Sequence, residues 1–321
     1  MKGPSTARVI IFASAVSFVL LRLTAGKPAK DQSVKDHPEY TIRSDVRLVL
    51  LDVSVKDRRG RLVPRLSQKG FSVFENGRPQ RITVFDNEDL PVTVGIIVDE
   101  SYSMAPKRAD VLTAAQTFIE ESNPHDESFV LNFNDKVTRG LPKGTLFSDN
   151  LQQLRSALNR GIPQGKTALN DAVIAGLQQL ELGKRDKKTL IVISDGGDNA
   201  SEHSRSEMLD MVQRSIGTIY TIGLYAVDDP DRNPGILREL ARISGGEAYF
   251  PANPSAMIPV CRSIAKQVRA RYTIGYVPSA QNGTGSLRHI RVRVSAPGSI
   301  RLNVRTRRSY HYEEGSNQTQ K

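Results

Sequence analysis

The stretch Val92-Thr-Val-Gly-Ile-Ile-Val98-Asp99-Glu100-Ser101-Tyr102-Ser103 decides the fold. Its first seven residues are nearly all apolar and stop abruptly at an acid. A run of that length without polar alternation predicts a strand buried on both faces, as parallel sheets require. A second such run, residues 189–193, ends the same way in Ser194-Asp195-Gly-Gly-Asp198-Asn199. Between and after the two runs, helical periods over 110–121, 151–158, 168–182, 206–215, 237–243 and 255–269 alternate with strands over 128–133, 218–225 and 247–250. This alternation predicts an α/β fold with a doubly wound, mostly parallel sheet over residues 90–270.

Outside that span the pattern changes. Residues 46–55 alternate as a strand, and Asn76-Gly77 supplies the two positive φ values of a type I′ hairpin turn. After Arg271 the chain again reads as strands alone, over 272–277, 287–294 and 300–306. Neither flank has strands enough for a stable sheet. Residues 40–89 and 271–312 are therefore expected to pair into one small antiparallel β domain, with two separate β appendages as the alternative.

The chain has 321 residues, is 38% hydrophobic and carries a formal net charge of +11. A single cysteine, Cys261, excludes an internal disulfide. It lies in a helical stretch and reads as a buried small hydrophobe. Lys2 and Arg8, the apolar run 9–21, and Thr24-Ala-Gly26 follow the three-part grammar of a secretory signal peptide over residues 1–26. That predicts a secreted or periplasmic protein, with an uncleaved membrane anchor as the alternative. Residues 27–39 read as a linker and 313–321 as a disordered tail. No phosphate loop, nucleophile elbow or zinc spacing is present among the motifs.

Asp99 and Asp195 each follow a buried strand, where open α/β sheets bind their ligands. Gly165-Lys-Thr167 lies just before a helix. Carboxylate and hydroxyl oxygens suit a hard divalent ion such as Mg²⁺, or Mn²⁺ or Ca²⁺. A set dominated by hydroxyls leaves such an ion under-neutralised, so it should seek an anionic oxygen from outside.

The order Asp-x-Ser-x-Ser, a later Thr before a helix, and a later Asp-Gly after a buried strand resembles the metal ion-dependent adhesion site of von Willebrand factor type A domains. The resemblance covers about residues 90–270. It implies one metal ion held by Asp99, Ser101, Ser103, Thr167 and Asp195, some of them through water. Tyr102 departs from the family, which usually has Gly there. The stretches 71–80, 89–99 and 272–276, with a basic tail near Tyr310, further resemble a secreted bacterial subfamily frequent in acidobacteria. The resemblance implies a protein-binding module that captures a partner's Glu or Asp through the ion, rather than an enzyme. A structural envelope protein with a fold-stabilising metal, and a metal-dependent hydrolase using Glu100 or Asp198 as base, are the alternatives.

Around the ion, Asp198, Asn199, Glu100 and Asp171 are candidates for a supporting layer. The competing readings are a cap on the following helix for Asp198 and Asn199, a solvated loop carboxylate for Glu100, and a first-turn helix acid for Asp171. The acid-rich turn 228–235 lacks the Gly and Glu of a calcium loop and reads as a Pro-stiffened turn. Residues 271–312 hold eight arginines and no acid. Arg291 and Arg293 alternate with valines and so share a sheet face. A solvated outer face is one reading, contact with an anionic envelope polymer or acidic partner the other. A leader sequence directs the protein away from nucleic acid.

Overall fold

The computed structural model describes residues 48–225, 232–278, 286–296 and 301–312. The leader, the linker, the tail and half of the acid-rich turn read from the sequence lie outside the described residues.

The apolar run after Pro91 becomes β5 (Thr93–Asp99), buried along its whole length. It is flanked by β6 (Glu127–Phe133) and β8 (Lys188–Ser194), both parallel to it. Gly95 lies at the middle of this layer. A Cβ there would fall 2.4 Å from the Phe129 ring, so no larger residue fits. Then come β9 (Thr218–Gly223) and the short β10 (Ala248–Tyr249), each parallel to its neighbour. On the far side β7 (Val137–Arg139) closes the sheet antiparallel to β6. The order is β10-β9-β8-β5-β6-β7.

Six helices accompany this sheet: α1 (Arg108–Glu121), α2 (Leu151–Asn159), α3 (Leu169–Glu181), α4 (Arg205–Arg214), α5 (Pro234–Ser244) and α6 (Met257–Arg269). α1 packs on α6, and α3 lies between β5 and α4. Each buries its apolar stripe, as Val111, Ala115, Phe118 and Ile119 do on α1. Cys261 is buried in α6, where desolvation pushes its thiol up to about 12.

The two strand-only flanks pair with one another. β1 (Val49–Lys56) runs antiparallel between β11 (Tyr272–Tyr276) and β13 (Asn303–Arg305), and β4 (Ile82–Asp86) extends that sheet along β11. β2 (Phe71–Glu75) pairs with β3 (Arg78–Gln80) and with β12 (Ser286–Val294), which carries β14 (Ser309–Tyr312) on its other side. The β2–β3 turn has φ of +47° at Asn76 and +80° at Gly77, as a type I′ turn demands. One apolar cluster joins the two sheets face to face, through Leu51, Val53, Phe71, Val73, Tyr272 and Ile290. The architecture is thus an α/β layer beside an antiparallel β sandwich built from both flanks.

Two expectations need correction here. Of the strand expected over 300–306, the described residues show a strand at Asn303–Arg305, and Ser309–Tyr312 forms a further strand. The C-terminal arginines are not all on a solvated face. Arg271 and Arg288 are each only 1% exposed. Arg271 Nε lies 2.7 Å from Asp52, and Arg288 Nη1 lies 2.7 Å from Glu75. The acids missing from 271–312 are supplied by the N-terminal flank. A buried guanidinium needs such a partner, so these pairs fix which strands of the two flanks meet.

Candidate metal centre

The three sequence segments singled out for metal binding converge at the carboxyl ends of β5 and β8. Asp99 is the last residue of β5 and Asp195 directly follows β8, and the two strands are adjacent and parallel. Both acids are buried, at 2% and 1% exposure, with Ser101 at 2% and Thr167 at 6%.

Direct contacts hold four of the five side chains together. Asp99 Oδ1 accepts the Ser101 backbone N–H at 2.8 Å, which curls the chain after the strand. That turn leads into a short 3₁₀ segment, Tyr102–Lys107, ahead of α1. Ser101 Oγ and Ser103 Oγ are 3.2 Å apart, and Ser103 Oγ donates to Asp195 Oδ2 at 2.5 Å. Asp195 Oδ1 accepts from the Gly197 N–H at 3.0 Å. Tyr102 stands at the rim, 77% exposed, so its side chain takes no space inside the site.

Thr167 is carried in by backbone bonds. The Tyr102 N–H donates to the Gly165 carbonyl at 3.2 Å, and the Gln164 N–H to the Glu100 carbonyl at 2.9 Å, so the 164–167 loop is laced to the loop after β5. On its other side the Thr167 N–H donates to Asn199 Oδ1 at 2.9 Å, and its carbonyl accepts from the Asn199 N–H.

The supporting residues sort differently from the sequence expectation. Asn199 does touch Thr167. Asp198 caps a helix, but α3 rather than the one that follows: its Oδ2 accepts the Asn170 N–H at 2.8 Å. The following helix, α4, is capped by Ser204 and Glu207. Asp171 in the first turn of α3 accepts the Glu202 and His203 N–H groups and the His203 ring, and so anchors the 201–203 loop. Glu100 is not a solvated carboxylate. It is 1% exposed and receives Arg108 Nε at 2.9 Å, while Arg108 Nη2 reaches the Gly161 carbonyl at 2.6 Å. Burial pushes the Glu100 carboxyl up and the Arg108 guanidinium pulls it back.

The sequence reading missed Ser194. Its hydroxyl donates to Asp99 Oδ2 at 2.6 Å and accepts the Gly196 N–H at 3.0 Å, tying the two strand ends together inside the layer. The available signal was its position, one residue before Asp195 at the end of a buried strand. Arg108 was likewise missed, and no local pattern marks it.

The electrostatics of the cluster favour a cation. Burial, and then the neighbouring Asp195 carboxylate, push Asp99 up from 3.8 to about 7. Two buried carboxylates and three hydroxyls form an all-oxygen set that suits Mg²⁺ or Mn²⁺. Among the described residues no group of three or more His, Cys, Asp and Glu side chains is set to hold a metal.

Comparison with known proteins finds a family match within the α/β layer. Residues 94–197 match the von Willebrand factor type A domain family. Of solved structures, a von Willebrand factor type A protein from Catenulispora acidiphila is 14% identical with a TM-score of 0.50, covering 85% of this chain and 76% of that one. The manganese-loaded Plasmodium vivax TRAP protein is also 14% identical, with a TM-score of 0.45 and coverage of 73% and 96%. An aerotolerance-related membrane protein from Bacteroides fragilis is 13% identical, with a TM-score of 0.44 and coverage of 55% and 98%. No curated protein matches. No helix among the described residues is long and apolar enough to cross a membrane.

Proposed function

We propose that the von Willebrand factor type A domain of this chain is a non-catalytic capture module, in which Asp99, Ser101, Ser103, Thr167 and Asp195 hold one Mg²⁺ ion for a carboxylate of a partner protein. When bound, the ion supplies positive charge and a coordination position open to a Glu or Asp side chain.

The observation that carries this reading is the Ser101–Ser103–Asp195 chain of contacts. It gathers oxygens from two strand ends while contributing only one negative charge. Asp99 adds the second, and three neutral hydroxyls complete the set. That set under-neutralises a hard cation, so an external anion is favoured there. Asp99 is oriented by Ser194 and Thr167 by Asn199, so the donors are held before a ligand arrives. The signal-peptide pattern of residues 1–26 supports a location outside the cytoplasm.

The test is a random-peptide display selection against the full chain in Mg²⁺. The reading expects enriched peptides to carry Asp or Glu and to release on chelation. It also expects Asp99→Ala to lose them. Peptides that bind equally with chelator and to Asp99→Ala would refute it.

A further inference from the structure

We propose that the outer face of β12 and the neighbouring side of α5 form a trough that binds a linear anionic polysaccharide. His289, Arg291 and Arg293 alternate with the buried Arg288 and Ile290, so they share the exposed face of the strand. A hollow of about 840 Å³ is lined by these three residues together with Ile290, Val292, Arg307 and Arg308. A second hollow of about 410 Å³ is lined by Arg238 and Arg242 of α5, with Arg305 and Arg308. Val304, Thr306 and Arg308 line both, so the two hollows adjoin across these residues.

Among the described residues lining either hollow there is no Asp or Glu. Some of the arginines are already engaged. Arg305 approaches Glu247 at 3.3 Å, and Arg307 donates to the Gln213 carbonyl. Arg242 lies 3.8 Å from Glu239. Arg238, Arg291, Arg293 and Arg308 have no acid within ion-pair distance among the described residues. The fold neutralises Arg271 and Arg288, yet it leaves these four charges together and uncompensated. Such an assembly attracts anions.

The shape and surroundings select the class of anion. Arg291 and Arg293 stand about 7 Å apart along the strand, and further charges follow over Arg308 to α5, which suits a repeating charge rather than a single ion. Planar guanidinium forks pair with carboxylate and with sulfate oxygens. The two aromatic rings of the trough are already covered: Arg293 lies 5.0 Å over Phe74, and Arg238 lies 4.5 Å over Phe250. Neither ring is left open for a nucleic-acid base to stack on. None of the exposed large hydrophobics lines either hollow; Leu287, on the same strand face as His289, lies outside both.

The test uses the full chain with four probes: heparin, polygalacturonate, oligo(dT) and poly-glutamate. Heparin and polygalacturonate separate sulfate from carboxylate recognition. The expectation is that at least one glycan binds more tightly than oligo(dT) and poly-glutamate, weakens with salt, and is indifferent to chelator. The variant Arg291→Gln/Arg293→Gln/Arg308→Gln should lose about tenfold or more in affinity at unchanged thermal midpoint, since each lost contact releases fewer counterions. Arg238→Gln/Arg242→Gln, on a different element, should also weaken binding. Absence of glycan binding at low salt, undiminished binding by both variants, or preference for oligo(dT) or poly-glutamate would overturn the proposal.

Discussion

Ser194 Oγ lies 2.6 Å from Asp99 Oδ2, a side-chain bond between the ends of two adjacent parallel strands that fixes how the Asp99 carboxylate faces the site. Replacing Ser194 by Ala removes no proposed ligand. Groups that orient a metal ligand are worth about 10-fold to 100-fold in affinity. Ser194→Ala should therefore bind Mg²⁺ at least ~10-fold more weakly by calorimetry, with far-ultraviolet circular dichroism unchanged.

The proton on Asp99 competes with the ion. Its pKa rises from 3.8 to about 7 in the folded, metal-free protein, first through burial and then through Asp195. The folded state thus holds a proton there that the unfolded state releases, so stability from this group is present below pH 4 and is lost as pH rises toward 7. In chelator at pH 8, Asp99→Asn should be more stable than the parent, by ~4 kcal/mol at most. At pH 3.5 the difference should vanish. Mg²⁺ affinity should rise with pH up to about 7, because the ligand must be deprotonated. Scanning fluorimetry of both proteins across pH, with and without Mg²⁺, checks the sign of each effect.

Glu75 holds the sandwich at one point. Its carboxylate takes Arg288 at 2.7 Å and the hydroxyls of Tyr276 and Tyr310, each at 2.7 Å. Glu75→Gln leaves the buried guanidinium without its carboxylate and should cost about 3–5 kcal/mol in urea unfolding. The double change Glu75→Leu/Arg288→Met should cost less than Glu75→Gln alone. A single change no worse than the double would show that the pair is not buried as a unit.

The α/β layer was legible because its evidence is local. Unbroken apolar runs ending at Asp99 and Asp195 specify strands buried on both faces, and the 3.6-residue period marks helices such as α1 and α3. The three-residue antiparallel edge strand β7 was not legible, since three residues carry no period. The pairing of the flanks could be argued from strand count, but not its register. Register depends on Asp52 meeting Arg271 and Glu75 meeting Arg288, partners some two hundred residues apart. The same distance hid the burial of those arginines, which look solvated when 271–312 is read alone. At the site, the residue types and their order marked the five oxygens. What lay beyond reach was which neighbour supports which: Ser194 for Asp99, Arg108 for Glu100, and Asp198 for the start of α3.

The proposed capture needs one divalent ion held by the oxygens at the ends of β5 and β8. Titration of the chelator-stripped full chain with Mn²⁺, followed by electron paramagnetic resonance, tests it most directly. One ion should bind per chain, be displaced by Mg²⁺ and be absent from a folded Asp99→Ala variant. A parent chain that binds no ion, or an Asp99→Ala chain that binds it equally well, would contradict it.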